Sequence, residues 1–131
     1  HQLLNQQYSI GLAADQNAPN PHNAFWLNFF SKPAPFVTGP DKGAIKNNTA
    51  VVFVRLIKLK RGKYQFITQI VTEAAGNMKE GELTKLYRDF LEETISSQPD
   101  NYLWSHRRWK WNYEEQFESL WKDSAPIPSK N

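Results

Sequence analysis

The sequence predicts an α/β fold, a partial mixed sheet flanked by helices. Three observations point there. Apolar runs of strand length are interleaved with segments of helical period. The stretch Glu80–Ser97 carries a sustained apolar stripe at 3.6-residue spacing. The chain is 40% hydrophobic and 22% charged over 131 residues, which suits one packed domain and argues against wholesale disorder.

The elements follow in order. Tyr8-Ser-Ile-Gly-Leu-Ala13 reads as a short buried strand, and it runs into Ala14-Asp15-Gln16-Asn17 and then a loop rich in Asn and Pro. Ala24–Phe30 is a second, aromatic strand, and Lys32-Pro33-Ala34-Pro35 is expected to end it. Thr38-Gly39-Pro40-Asp41 opens a helix to about Asn47, with Thr38 as cap, Asp41 completing a capping box, and Asn47-Asn48 as the stop. Val51–Leu59 and Tyr64–Thr72 form a hairpin across the basic turn Lys60-Arg61-Gly62-Lys63. In Glu80–Ser97, Leu83, Leu86, Tyr87, Phe90, Leu91 and Ile95 share one face, and Glu82, Lys85, Arg88, Asp89, Glu92 and Glu93 the other. A last helix is expected over Tyr113–Lys122, and residues 124–131 read as a flexible tail after a domain of 1–123. The first strand starts almost at residue 1 with no helix before it, so the arrangement reads as incomplete. A half-sheet of this kind predicts self-association through an exposed edge.

Composition excludes several chemistries. There is no cysteine, hence no disulfide, thiolate metal site or cysteine nucleophile. His1, His22 and His106 show no metal-ligand spacing, and neither metal nor cofactor is expected. No apolar run approaches the roughly 20 residues of a spanning helix. The net charge of +3 is too weak to imply a nucleic-acid partner. The first residue is His rather than Met, so the chain reads as a processed or excised product.

The most unusual stretch is Pro99–Trp111, which interleaves His106, Arg107, Arg108 and Lys110 with Tyr102, Trp104, Trp109 and Trp111. Arg and Lys beside Trp suit two tasks: holding an anion, or stacking a cation on an indole as a structural latch that Glu114, Glu115 or Glu118 would complete. Asp15 and Gln16 sit at a strand end, where open sheets meet ligands, or else only shape a turn. Phe25, Trp26, Phe29 and Phe30 are core or line an apolar groove. Thr38 and Gly39, at a helix start, can receive an anion or nothing.

Taken together, these segments resemble the C-terminal half of the bacterial lipid A biosynthesis acyltransferases, the lauroyl and myristoyl transferases. The matching residues are Asp15-Gln16 at a strand end, the aromatic strand Phe25–Phe30, Thr38-Gly39 with Gly43-Ala44, Gly62-Lys63-Tyr64 in the hairpin, Leu91–Ile95, and above all Pro99–Lys110. The resemblance covers roughly residues 8 to 111. It implies the C-terminal portion of a glycerolipid-acyltransferase-like fold. The implied reaction moves a fatty acyl chain from acyl carrier protein to a hydroxyl of a lipid A precursor, at the cytoplasmic face of the bacterial inner membrane. In that family a His-x4-Asp/Glu pair is the catalytic base and its orienter. Here the residues in the carboxylate position are Gln6, Leu27 and Trp111, so the chain alone is not expected to catalyse transfer. By resemblance, Asp15, Gln16, Thr38, Gly39, His106, Arg107, Arg108 and Lys110 belong to substrate binding, and Phe25, Trp26, Phe29 and Phe30 to an acyl path.

Two other classes compete. A nucleic-acid-binding module would use His106–Trp111 as a stacking platform, but no recognition motif accompanies it, and the acidic stretch after it opposes it. A membrane-surface or protein-interaction module would use the basic hairpin tip against anionic headgroups.

Overall fold

The computed structural model describes residues 9–126. After a 3-10 turn at Pro21–Asn23 come β1 (Ala24–Phe29), β2 (Lys32–Val37), α1 (Gly39–Asn47), β3 (Val51–Lys60) and β4 (Lys63–Thr72). A 3-10 turn at Ala75–Asn77 leads into α2 (Glu82–Ser97), which is followed by further 3-10 turns at Pro99–Asn101 and Glu115–Leu120.

The strands pair as two separate antiparallel hairpins, β1–β2 and β3–β4, and not as one mixed sheet. The first expected strand, Tyr8–Ala13, is not there to extend either hairpin. Residue 8 lies outside the described residues, and 9–14 form no strand, with Ile10 and Leu12 exposed. α2 does the joining instead. Its Leu91 and Ile95 pack with Leu27, Phe29, Ala34 and Phe36 of the first hairpin. Its Leu83 and Phe90 pack with Ala44, Phe53 and Ala75. One helix therefore carries two cores, which is what its apolar stripe provides.

The stretch Lys32–Pro35 does not end the pattern; it is β2. Pro33 and Pro35 lie opposite Asn28 and Trp26. At those two positions β1 turns its backbone groups the other way, so neither proline is asked for an N–H. The Asn28 N–H goes to Asp123 Oδ2 at 2.9 Å, and the Trp26 carbonyl accepts from the Lys122 N–H at 3.0 Å. The connecting residues Phe30 and Ser31 both take positive φ, 50° and 61°, as tight hairpin turns require.

The chain after Trp111 closes that far edge of β1. Trp121 bridges Trp26 in parallel, and Phe117 stacks on the Trp26 ring at 5.0 Å. The predicted helix over Tyr113–Lys122 shrinks to the 3-10 turn Glu115–Leu120. A lone helix that short is marginal, and Trp121 is taken up by the β1 edge instead. Arg88, expected on the polar face of α2, is buried. It donates to Asp123 Oδ2 at 2.7 Å and to the Asn28 carbonyl.

α1 ends as expected, with Asn48 in the left-handed region. Its predicted capping box does not form, because the Thr38 side chain makes no capping bond. Asp41, 1% exposed, instead accepts from the Gly81 N–H (3.1 Å), the Thr84 N–H (3.0 Å) and the Thr84 hydroxyl (3.2 Å). It caps α2, whose own cap residue Gly81 has no side chain to offer. The outer edge of β3 is covered by side-chain amides. Gln98 donates to the Lys58 carbonyl and accepts its N–H, and Asn101 donates to the Leu56 carbonyl.

Candidate functional site

The two segments singled out in the sequence meet in space. The run after Tyr102 has no regular structure of its own, so its polar groups find partners in residues 16–18. Arg108 Nη1 donates to the Gln16 carbonyl at 2.9 Å across 92 residues of chain. The Asn17 N–H donates to His106 Nε2 at 2.9 Å, and the Asn17 side-chain amide donates to the Arg107 carbonyl. Trp111 Nε1 donates to the Ala18 carbonyl at 3.2 Å. A ring nitrogen that accepts carries no proton, so His106 holds its proton on Nδ1 in this arrangement.

Beside this seam runs a groove of about 340 Å³ between β3 and α2. Leu91, Ile95 and Phe90 form its apolar floor, and Asp15, Tyr87 and Tyr102 bring polar groups to it. The volume falls at the small end of ligand sites, roughly 300–1,000 Å³. Burial, reinforced by the Asp15 charge, pushes the Tyr87 hydroxyl up to about 12. Burial likewise raises Tyr102, whose hydroxyl has no partner among the described residues. Both phenols stay protonated at neutral pH and can donate, while the Asp15 carboxylate can accept. Such a set can hold a hydroxyl or an anionic oxygen at the end of an apolar trough.

Behind it lies Arg108, 1% exposed. Its guanidinium sits 3.9 Å from the Phe36 ring centre and 5.2 Å from that of Phe29. Burial lowers its pKa to about 10, against the opposing pull of Tyr102, Tyr87 and Asp15. Nε and Nη2 find no acceptor among the described residues. Arg108 therefore stacks on phenylalanine rings and bonds a backbone carbonyl, and meets neither Trp nor the acidic residues 114, 115 or 118 expected to complete a latch.

The other candidates are dispersed. Arg107 and Lys110 are exposed, and Lys110 lies over the Trp111 ring at 4.6 Å. Thr38 and Gly39 stand at the start of α1 and do not line the groove. Phe25, Trp26 and Phe29 are buried, Phe30 is 39% exposed in the β1–β2 turn, and none of the four lines the groove. Phe29 packs in the same cluster as Leu91 and Ile95, so it supports the floor from behind. The sequence places Tyr87 on the apolar face of α2; spacing shows which face a tyrosine occupies but not what its hydroxyl meets. Among the described residues no His, Asp and Glu are grouped to share a metal ion.

A family model described as "Bacterial lipid A biosynthesis acyltransferase" matches residues 1–111. The chain belongs to this family. Comparison with curated proteins returns no match, and neither does comparison with solved structures. The lipid A acyltransferase match thus takes in both the Asp15-Gln16 segment and the whole His106–Trp111 run that it meets. No helix among the described residues of this acyltransferase-family chain is long and apolar enough to cross a membrane.

Proposed function

We propose that this chain forms the substrate-holding portion of an enzyme that moves a fatty acyl group from acyl carrier protein to a hydroxyl of a lipid A precursor, at the cytoplasmic face of the inner membrane. The observation that supports this most directly is the seam between Gln16–Ala18 and His106–Trp111 beside an apolar groove that Asp15 lines, in a chain of the acyltransferase family. The groove floor of Phe90, Leu91 and Ile95 takes the hydrocarbon, with Leu27 and Phe29 of β1 packed behind Leu91 and Ile95. Asp15 accepts from the acceptor hydroxyl or its neighbour, and Tyr87 and Tyr102 donate to anionic oxygen. His106 and Arg108 hold the segment that carries Asp15 and Gln16 in place. Arg107 and Lys110, exposed on the same run, meet phosphate of the lipid acceptor as it arrives.

The catalytic base is supplied from outside these 131 residues. No histidine here has an acidic residue five positions on. His106 Nε2 already accepts a backbone N–H, which leaves that nitrogen unable to take a proton from an alcohol. Gln98 and Asn101 occupy the outer edge of β3 from Leu56 to Lys58, so self-association through a strand edge would use another part of the hairpins.

The test is transfer of labelled acyl chain from acyl carrier protein to the lipid A precursor. The chain alone is expected to be inactive, and the same chain joined to its preceding reading frame active. In the longer protein, Asp15→Asn should lower kcat/KM by at least about tenfold through lost positioning. Transfer by the 131-residue chain alone would refute the assignment of the base.

A further inference from the structure

The β3–β4 hairpin presents an uncovered apolar face. Across the ladder, Val52 pairs with Ile70, Val54 with Thr68, Leu56 with Phe66 and Lys58 with Tyr64. These opposed pairs share one face of the pleat. On it Phe66 is 73% exposed, Ile70 72%, and Val52, Val54, Leu56 and Tyr64 are exposed too. The other face is the one that folds inward, through Phe53 against Tyr87 and Phe90. Contiguous exposure of this kind marks a docking surface and not ordinary surface scatter.

Charge names the occupant. Residues 51–72 contain Arg55, Lys58, Lys60, Arg61 and Lys63 and not one Asp or Glu, in a chain with 13 acidic residues. Arg55 pairs with Glu93 at 3.2 Å. Lys58, Lys60, Arg61 and Lys63 make no ion pair among the described residues, and all are exposed. We propose that this face lies on an anionic lipid bilayer. Phe66, Ile70, Leu56, Val54 and Val52 enter the acyl boundary, Tyr64 and the Lys58 stem lie at headgroup depth, and the tip cations meet lipid phosphates. The proposal deepens the membrane-surface part of the function above, by naming the surface. Its test needs no acyl donor or acceptor, so failure to bind lipid and failure to transfer are separate results.

The experiment is co-sedimentation of the 131-residue chain with vesicles of phosphatidylcholine alone and of phosphatidylcholine mixed with phosphatidylglycerol. Binding should be at least about tenfold stronger on the anionic vesicles at low salt and should weaken as salt rises. The pair Lys60→Glu and Arg61→Glu should remove that preference. The pair Phe66→Ser and Ile70→Ser, at sites too exposed to disturb folding, should weaken binding to the anionic vesicles by about tenfold or more. Lys46→Glu, on the exposed side of α1, should bind as the parent does. Parent-like binding by the Phe66 and Ile70 variant, or equal binding to the two vesicle types, overturns the proposal. So does a lipid-free dimer that the same variant converts to monomer, since the face would then belong to a second copy.

Discussion

Replacing Arg108 with methionine separates two jobs that a buried cation can do. Burial lowers its pKa from 12.5 to about 10, which corresponds to about 3 kcal/mol disfavouring the charged form. Met fills similar space, carries no charge and leaves no unpaired Nε or Nη2. It forfeits the bond to the Gln16 carbonyl and the stacking on Phe36, together about 3 kcal/mol. The two sides nearly cancel, so Arg108→Met should lie within about 1.5 kcal/mol of the parent. Arg108→Ala adds a void between Phe29 and Phe36 and should fall a further ~2–5 kcal/mol. Urea unfolding followed by tryptophan fluorescence measures both, with an unchanged m-value as the check that the same transition is compared. If Met costs more than about 3 kcal/mol, the guanidinium is a net structural latch and the reasoning fails. If Met is neutral in stability but lowers acyl transfer in the longer protein, the charge is retained for the site and not for the fold.

Further predictions concern the supports of the site. Asp41→Ala strips three donors at the start of α2 of their acceptor and should cost about 2–4 kcal/mol, whereas Asp41→Asn, which can still cap, should lose less than half of that in the same unfolding assay. Burial tends to raise the Asp123 pKa, but the Arg88 bond and the N–H groups of Asn28 and Ala125 outweigh it and hold the carboxyl below its ordinary 3.8. Its stabilisation is therefore present above pH 3.8 and is lost as pH falls through the lower folded value, so acid unfolding of the parent should show a drop below about pH 4 that Asp123→Asn lacks. At neutral pH that variant should cost about 1–3 kcal/mol, because it leaves the buried Arg88 with the half-exposed Asp89 as its remaining carboxylate among the described residues. Ser31→Gly, at a positive φ of 61°, should raise the unfolding midpoint by the equivalent of about 1 kcal/mol; a lower midpoint would mean the turn is not left-handed in solution.

The parts legible in the sequence are those where one local pattern suffices. The stripe of α2, the β3–β4 alternation with its Gly62 turn, and the aromatic run of β1 each declare themselves within a few residues. β2 was hidden by its prolines. Pro33 and Pro35 break a strand only if their missing N–H is needed, and that depends on which way β1 turns its own groups. Asp41 illustrates the same limit, since a carboxylate three residues past Thr38 looks like a local cap while its donors lie 40 residues away. The candidate site was legible as residue types: Asp15, Gln16, His106 and Arg108 were all singled out. That Gln16 and Arg108 would touch was not, because the bond runs to a backbone carbonyl and leaves no trace in side-chain chemistry. Tyr87 was visible only as packing, and the groove it borders arises from the spacing of β3 and α2, which no single segment encodes.

The family match stops at Trp111, but the fold does not. Phe117 covers the Trp26 indole, Lys122 and Asp123 satisfy the outward backbone of β1, and Asp123 neutralises Arg88. A clip by protease between 111 and 117 would therefore not trim a dispensable end. It would leave β1 with an open flank and Arg88 with Asp89 as its remaining carboxylate, so the cleaved species should expose tryptophan and clump, and the boundary of the recognisable family is not the boundary of what must be kept.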